Sequence, residues 1–175
     1  MFAQRSRIRL LVYELRQDDP KRCTSAKLVH LHLAQPIFRA ASIPKKAVVL
    51  NPVASEILAS SDSHFMKGGG VVAIDCSWER YEEVFARKFR GINRRLPLLL
   101  AGNPTNYGQL GKLSSAEALA AALHIGGFEA QAKELMAVFK WGQTFIALNK
   151  NPLEEYGMAK SREEMIAVEK AYFAG

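Results

Sequence analysis

The feature that most constrains this chain is the sequence VVAID at Val71–Asp75, in which four apolar residues lead directly to an acid. A strand with one wet face alternates apolar and polar residues, whereas an unbroken apolar run is typical of a parallel strand buried on both faces. Similar apolar runs occur in IRLLVYEL, AVVL and LPLLLA, and segments with helical character separate them. The alternation predicts an α/β fold built on a parallel sheet.

Helix boundaries follow from capping residues. Thr24 or Ser25 is a good N-cap for a first helix, and Ser114 with Glu117 forms a capping box before the alanine-rich AEALAAALHI. Further helices are predicted over residues 52–60, 79–89, 128–139, 144–156 and 161–173, the last with a second capping box. The GGG triplet at 68–70 lacks the spacing and the Lys-Ser/Thr ending of a phosphate-binding loop, so it predicts a flexible link.

The composition suits an ordinary globular protein. The chain has 175 residues, 49% of them hydrophobic, which is enough for one domain or two small lobes that share an interface. Its two cysteines, Cys23 and Cys76, are too few for a disulfide framework or a four-ligand zinc site. No segment approaches the ~20 consecutive apolar residues of a membrane span. These features predict a cytoplasmic protein in a reducing compartment, with no membrane association and no metal.

Lysine and arginine outnumber aspartate and glutamate by 24 to 17, which gives a formal net charge of +7. Such an excess favours a polyanionic partner such as nucleic acid, because Lys and Arg neutralise phosphates. The alternative is that these side chains are simply solvated, as on many basic proteins. The positive charges are gathered in clusters at Arg5/Arg7/Arg9, Lys21/Arg22, Lys45/Lys46, Arg87/Lys88/Arg90 and Arg94/Arg95.

Candidate reactive residues follow the predicted strands, since ligands of open parallel sheets bind beyond the carboxyl ends of the strands. Asp75 directly follows a buried run, where a carboxylate needs a hydrogen-bond partner, so it either belongs to a site or caps the next helix. The indole of Trp78 either stacks on a ligand or packs in the core. A catalytic thiol at Cys76 is disfavoured because no oriented base accompanies it, and His30 and His32 are not spaced for a metal.

Two predicted helix N-termini offer backbone N–H groups and a hydroxyl to a carboxylate or phosphate. They lie at Thr24/Ser25 and at Ser114/Ser115. The commoner explanation of any single one is an ordinary capped helix, and the residues alone leave both interpretations open.

Six motifs occur in order along most of the chain: DPKRCT, VLNP, DCSW, LPLLLAGNPTNYG, LSSAEALAAAL and FKWGQTFIALN. They span about residues 19–156. Together they resemble the S-adenosylmethionine-dependent aminocarboxypropyltransferases that modify a hypermodified pseudouridine in small-subunit ribosomal RNA of archaea and eukaryotes. DCSW by itself would be a weak signal, whereas DCSW followed by the later motifs is a specific one.

The resemblance implies a SPOUT-like catalytic domain with a deep C-terminal trefoil knot over residues 69–175, preceded by a small N-terminal α/β lobe over residues 1–68. It implies S-adenosylmethionine as cofactor in the cleft between them. It also implies a monomer that acts on small-subunit ribosomal RNA or a pre-ribosomal particle. The implied reaction transfers the 3-amino-3-carboxypropyl group, rather than the methyl group, to N3 of a methylated pseudouridine.

The resemblance also implies a set of cofactor contacts, matched motif by motif. Thr24 would bind the methionine carboxylate, while Leu50, Pro52 and Trp78 would enclose the adenine and methyl ends in apolar surface. Backbone groups would fix the ribose, adenine and methionine parts at Ile74, Leu96, Gly111 and Ser115. Relatives usually carry an aromatic residue where Gly111 stands, so any side-chain wall is lost there.

The sulfonium of this cofactor is positively charged, so the carboxylate of Asp75 and the face of Trp78 would bind it by Coulomb attraction and cation–π contact. Asp75 is also the candidate catalytic residue, as base for the N3 proton or as a stabilising charge. Phosphates flanking the target would be bound by basic side chains at Arg5, Arg7, Arg9, Lys45, Lys46, Arg90, Arg94 and Arg95. Two alternatives stay open: a SPOUT-type RNA methyltransferase, and a basic assembly factor that binds ribosomal RNA without catalysis.

Overall fold

The computed structural model describes residues 6–15 and 24–174. None of the helices in these ranges is long and apolar enough to cross a membrane. The strands are β1 (Leu10–Glu14), β2 (Gln35–Ile37), β3 (Val48–Leu50), β4 (Val71–Asp75) and β5 (Ile92–Arg94). The helices are α1 (Thr24–His30), α2 (Ser63–Gly69), α3 (Tyr81–Phe85), α4 (Ser115–Ile125), α5 (Glu129–Ala137), α6 (Gly142–Leu148), α7 (Lys150–Met158) and α8 (Arg162–Phe173).

The five described strands form one sheet in the order β2-β1-β4-β3-β5, and every pair of neighbours is parallel. The prediction of an α/β fold with a parallel sheet is therefore confirmed. Strands from both 1–68 and 69–175 contribute to this sheet. The boundary between the two predicted parts stays a prediction.

Both faces of the central strand β4 are covered, which explains its unbroken apolar run. Val71 and Ala73 pack in a first hydrophobic cluster, which includes the buried face of α4. Val72 and Ile74 point to the other face and pack in a second cluster, which includes two residues of α3. Side chains of successive strand residues point to opposite faces, so a doubly covered strand must be apolar at every position.

The connections that follow β1 and β4 leave the sheet in opposite directions. The chain passes from β1 through α1 to β2 on one side, and from β4 through α3 to β5 on the other. Leu28 of α1 belongs to the first hydrophobic cluster and Val84 of α3 to the second, so the two helices cover opposite faces. Such a reversal opens a crevice at the carboxyl ends of the two strands, and the last residue pair there is Glu14 and Asp75.

Residues 52–60, predicted to be helical, form turns and an isolated bridge instead. The Oδ1 atom of Asn51 accepts a hydrogen bond from Val53 N at 3.0 Å, which closes a turn at the start of the segment. Leu58 N then donates to Arg95 O at 2.8 Å. The helix prediction is wrong because the backbone of this segment bonds to the chain just after β5.

The predicted strand over residues 96–101 is also wrong, because the strand at this point of the chain is β5, which comes earlier. Side chains of the C-terminal helices occupy the backbone groups that a neighbouring strand would otherwise bind. The N–H and C=O of Leu98 are bonded to side chains of α8 and α7. The N–H and C=O of Leu100 are both bonded to the side-chain amide of Asn149, each at 2.8 Å.

The helices of the C-terminal half lie close to their predicted positions. Both bonds of the first capping box form, since Ser114 Oγ accepts from Glu117 N and Glu117 accepts from Ser114 N. In the second, Ser161 Oγ accepts from Glu164 N, but the Glu164 carboxylate binds the N–H of the preceding Lys160 instead of that of Ser161. The helix predicted over 79–89 is shorter than expected, a 3₁₀ turn followed by the brief α3.

The glycine triplet is packed against the sheet and is not a flexible link. Gly68 and Gly69 end α2, and Gly70 has a φ of 84°. A Cβ atom on Gly69 would lie 2.3 Å from the backbone N of Ala47, where the chain enters β3. A Cβ atom on Gly68 would meet only the Cδ atom of Lys46, at 3.9 Å. The close approach of α2 to the sheet therefore requires glycine at position 69 but not at position 68.

We expect Gly69→Ala to lower the free energy of unfolding by about 3 kcal/mol, because backbone atoms cannot yield to the added methyl group. Gly68→Ala is the matched control in the same helix. It should be neutral or stabilising by up to about 1 kcal/mol, since alanine is the better helix residue. Urea unfolding followed by circular dichroism measures both. Equal effects of the two substitutions would contradict the packing described.

Candidate functional site

Three residues predicted to bind a ligand meet at the carboxyl ends of the strands. Ser25 Oγ donates a hydrogen bond to Asp75 Oδ2 at 2.7 Å, which ties the first turn of α1 to the end of β4. Ala116 N, in the first turn of α4, donates to Thr24 Oγ1 at 3.3 Å. The crevice at the end of β1 and β4 is therefore bordered by Thr24, Asp75 and the N-terminus of α4 that carries Ser115.

Asp75 does not cap the helix that follows it. The 3₁₀ turn after β4 has Ser77 as its N-cap and α3 has Arg80, and neither start has a side-chain capping bond. The half-buried carboxylate is instead oriented by Ser25 of α1, a fully buried residue. The capping interpretation is therefore wrong, and a place in a site stays a prediction.

Thr24 places a hydrogen-bond donor at the crevice. A hydroxyl group has one proton to donate and two lone pairs, and the bond from Ala116 N uses a lone pair. The Thr24 proton can therefore be donated to a further acceptor. The N-terminus of α4, with its partial positive charge, lies directly beside it, so the pair suits a carboxylate.

Trp78 belongs to neither hydrophobic cluster of the described residues, whereas Trp141 packs against the first. Its half-buried indole donates from Nε1 to Leu113 O at 3.2 Å. Its ring centroid lies 5.6 Å from that of Tyr81, with a tilt of 60°. The indole is thus fixed by one hydrogen bond and one ring contact, and the alternative of a core tryptophan is not supported.

The predicted apolar wall lies at the end of β3. Leu50 is buried and belongs to the first cluster, whereas Pro52 is exposed. Asn51, between them, donates from Nδ2 to Asn93 at 3.1 Å and closes the turn that presents Pro52. Sequence reasoning did not select Asn51, although its place before a proline marks it as a turn residue. Ile74 is buried on the opposite face of the sheet.

Leu96 is held in place by the C-terminal helices. Glu169 of α8 accepts from both terminal nitrogens of Arg95, at 2.9 and 3.1 Å, and from Leu98 N at 2.8 Å. The hydroxyl of Tyr156 donates to Leu98 O at 3.0 Å. Burial, with the nearby Glu169 charge, raises the pKa of Tyr156, so this phenol stays a donor at neutral pH. The residues on both sides of Leu96 are therefore fixed.

Gly111 has a φ of 77°, a left-handed conformation that favours glycine over an aromatic residue. Its N–H donates to Leu99 O at 2.9 Å. A Cβ atom there would meet only Leu98 Cδ2, at 3.7 Å, so the space beside it is open. The conformation of this loop therefore suits glycine at this position.

Two of the predicted RNA-binding arginines form ion pairs within the chain. Arg94 Nε lies 3.3 Å from both carboxylate oxygens of the buried Asp62, and its side chain is only 15% exposed. Arg95 forms the bidentate pair with Glu169 described above. These pairs argue against a role of either arginine in binding phosphates.

The other predicted basic residues lie at the opposite edge of the sheet from the crevice, or beyond the described residues. Arg9, Lys46 and Arg90 precede β1, β3 and β5, so they stand at the amino ends of parallel strands. Lys46 lies about five residues of extended chain before the carboxyl end of β3, which puts it about 16 Å from the crevice. Lys45, Lys46 and Arg90 are exposed, Arg9 donates to Gln35, Arg7 pairs with Glu134, and Arg5 lies outside the described ranges.

Cys76 packs against the second hydrophobic cluster as a half-buried residue, in agreement with an unreactive thiol, and Cys23 lies outside the described ranges. Within residues 6–15 and 24–174, no three His, Cys, Asp or Glu side chains are grouped so that they could hold a metal ion.

The chain is similar to known proteins over most of its length. The family profile described as "Ribosome biogenesis protein, C-terminal" matches residues 48–173. The 16S rRNA aminocarboxypropyltransferase of Methanosarcina mazei is 42% identical over 167 residues, covering 94% of this chain and 95% of the relative. The protein of the same name from Thermoplasma acidophilum is 43% identical over 159 residues, covering 91% and 95%. A solved structure, "Structure of the SAM-dependent rRNA:acp-transferase Tsr3 from Vulcanisaeta distributa", has a TM-score of 0.83 and 35% identity, covering 96% of this chain and 99% of that one.

We expect Glu169→Ala to lower the free energy of unfolding by about 3 kcal/mol, because it leaves Arg95 and Leu98 N without their acceptor in a mostly buried place. Glu83→Ala also removes a carboxylate paired with an arginine, Arg80, but that carboxylate is 71% exposed. This control should cost less than about 1 kcal/mol. Guanidinium unfolding compares the two variants. An equally small effect of both would show that the ion pair between Arg95 and Glu169 contributes little to stability.

Proposed function

This chain belongs to the family of 16S rRNA aminocarboxypropyltransferases, and we propose that it transfers the 3-amino-3-carboxypropyl group of S-adenosylmethionine to N3 of a modified pseudouridine in small-subunit ribosomal RNA. The observation that carries the proposal is the meeting of Thr24, Asp75 and Trp78 around one crevice. Relatives of that name match this chain over more than nine-tenths of its length.

The residues around the crevice suit the functional groups of S-adenosylmethionine. The hydroxyl of Thr24 and the N-terminus of α4 suit its methionine carboxylate. The charge of Asp75 and the face of Trp78 suit the positive sulfonium. Leu50 and Pro52 offer apolar surface to the adenine. When bound, this cofactor supplies electrophilic carbons next to the sulfur.

Positioning by the protein selects which of the three carbons on sulfur reacts. Trp78, fixed by its bond to Leu113 O and by Tyr81, covers one side of the crevice with apolar surface. Covering the methyl group while the γ-carbon faces the RNA would direct the acceptor to the γ-carbon. Correct placement of reacting atoms alone accounts for a large part of a rate enhancement, so no further reactive side chain is required for this selection.

Asp75 is proposed as the group that takes the N3 proton of the acceptor or stabilises its departure. Ser25 donates to one of its oxygens at 2.7 Å, which fixes the carboxylate in one orientation. The other oxygen then has a defined direction, as a general base requires. The proton leaves N3 as the new carbon–nitrogen bond forms and the bond from the γ-carbon to sulfur breaks.

Ribosomal RNA is proposed to extend from the crevice across the protein to the amino edge of the sheet. The exposed Lys45, Lys46 and Arg90, with Arg9, stand at that edge about 16 Å from the crevice. These side chains would bind RNA phosphates that lie several nucleotides from the reacting base, either along the same RNA strand or across an RNA helix. Binding through them would weaken steeply as salt is added, because counterions are released from the RNA.

Finer features of the fold and assembly are part of the same proposal. The resemblance supports a SPOUT-like domain with a C-terminal trefoil knot over residues 69–175, an N-terminal lobe over 1–68, a monomer and a cytoplasmic location. Leu98 and Leu100 bind side chains of α7, α8 and the intervening Asn149, so this segment packs against the helices that follow it, and the knot itself rests on the resemblance. An experimental structure whose backbone becomes linear when its two ends are pulled apart would contradict the knot.

The first measurement incubates the protein with unmodified and with methylated small-subunit ribosomal RNA, using S-adenosylmethionine labelled on the methyl group or on the carboxyl carbon. We expect label in RNA only from the carboxyl carbon, because the γ-carbon carries that part of the molecule. Label only from the methyl group would make the protein a SPOUT-type methyltransferase. Retention of neither label would favour a non-catalytic assembly factor.

We expect Asp75→Asn to reduce transfer by about 10²-fold or more while S-adenosylmethionine binding weakens by less than tenfold. The amide oxygen can still accept from Ser25, so this bond is retained while the charge and basicity are lost. Ser25→Ala is the control that keeps the carboxylate but removes its hydrogen bond, and it should lower transfer far less. If Asp75→Asn lowered the transfer rate and the affinity for S-adenosylmethionine by the same factor, that result would contradict a role of Asp75 as base. Single-turnover rates and calorimetric binding measure the two quantities.

A further inference from the structure

One fully buried carboxylate, that of Glu117, joins the segments that hold the crevice together. Its Oε1 atom accepts from Gly102 N at 2.7 Å and from Asn103 N at 2.9 Å. Its Oε2 atom accepts from Ser114 N at 2.7 Å and from Asn103 Nδ2 at 2.8 Å. Four N–H donors thus surround a charged group that is 0% exposed. Such a group is stable in the interior only when its oxygens are fully hydrogen-bonded.

These four bonds close the neck of the loop formed by residues 103–112. The chain enters the loop at Gly102 and Asn103 and leaves it just before Ser114, and Glu117 binds both ends. Asn103 strengthens the neck, because its Oδ1 atom also accepts from Asn106 N at 2.9 Å. The tip beyond the neck is exposed, with Tyr107 at 61%.

Two residues beside this neck hydrogen-bond to side chains of the proposed cofactor site. Leu113 O accepts the indole N–H of Trp78 at 3.2 Å, and Ala116 N donates to Thr24 Oγ1 at 3.3 Å. Leu113 and Ala116 lie on either side of Ser114, whose N–H is bound to Glu117. A shift of the neck would therefore move the partner of Trp78 and the partner of Thr24 together.

We propose that Glu117 is a positioning residue of the cofactor site, which sets the places of Trp78 and Thr24 through the neck of the 103–112 loop. The inference rests on the proposed function, since it takes these two residues to bind S-adenosylmethionine. A carboxylate matches the neck because both of its oxygens only accept, whereas a glutamine of the same size would turn an NH₂ group toward N–H donors.

The experiment compares Glu117→Gln with the wild type, both in a Trp141→Phe background that leaves Trp78 as the single tryptophan. We expect the dissociation constant for S-adenosylmethionine to rise by about tenfold or more, because small misplacements of binding groups have large effects. The emission of Trp78 without ligand should also shift, because its hydrogen-bond acceptor moves. The transfer rate at saturating cofactor should change by less than about threefold, since the positioning acts mainly on binding.

Ala118→Gly is the control for simple loss of stability. It weakens the same first turn of α4 without touching the carboxylate, so it should lower the melting temperature while leaving Trp78 emission and cofactor binding unchanged. Asn103→Ser removes the side-chain amide that binds Glu117, Asn106 N and Lys112 O, while both backbone bonds of the neck to Glu117 Oε1 remain. It should act in the same direction as Glu117→Gln, by about threefold, which keeps the test informative if Glu117→Gln does not fold.

Unchanged emission and binding in folded Glu117→Gln, or in Asn103→Ser should Glu117→Gln not fold, would overturn the inference. Equal weakening of binding by Ala118→Gly at a matched loss of melting temperature would also overturn it. A wild type that binds no S-adenosylmethionine would instead defeat the proposed function, and the Trp78 emission of the variants would still report whether Glu117 positions the indole.

Discussion

The parallel pairing of β4 between β1 and β3 is the constraint on which the rest of the structure depends. It brings the ends of β1, β3 and β4, at Glu14, Leu50 and Asp75, to one edge of the sheet, although they are far apart in sequence. It also buries both faces of β4, which requires an apolar residue at every position before Asp75. The crevice exists because the connections from β1 and β4 then leave in opposite directions.

Side chains complete the backbone hydrogen bonding where the sheet ends. Beyond β5 the described chain forms only isolated bridges, at Arg95 and Leu100. The amide of Asn149 and the carboxylate of Glu169 bind backbone groups of Leu98 and Leu100. The same principle operates at the neck of the 103–112 loop, where Glu117 binds three backbone N–H groups. Buried backbone groups require partners of some kind, and side chains supply them here where no neighbouring strand does.

The sequence was most informative where structure is decided locally. The apolar runs of β1, β3 and β4 and the capping box of α4 depend on neighbouring residues, and they were predicted correctly. The strands β2 and β5 were missed because they are short and partly exposed, QPI and INR, without an apolar run. LPLLLA is apolar because it is buried under helices, and its backbone pairs only briefly, with residues 109–111, so the apolar run does not mark a strand of the sheet.

The proposed site could be predicted where its residues lie in motifs, whereas the partners of those residues could not. Thr24, Asp75 and Trp78 could be selected, but their contacts with Ala116, Ser25 and Leu113 depend on distant parts of the chain. Arg94 and Arg95 looked like free cations because the sequence does not reveal their buried carboxylate partners.

Substitutions at the closed neck of the 103–112 loop and substitutions at its tip should have different consequences. Residues at the neck are bound into the site, so substitutions there would disturb the whole crevice. Residues 104–110 are largely solvent-exposed, although the backbone of Gly108 and Gln109 bonds to the buried Ala101. We therefore expect substitutions over 104–107 to disturb the crevice less than substitutions at the neck, so this part of the loop is where the surface could change while the crevice is kept.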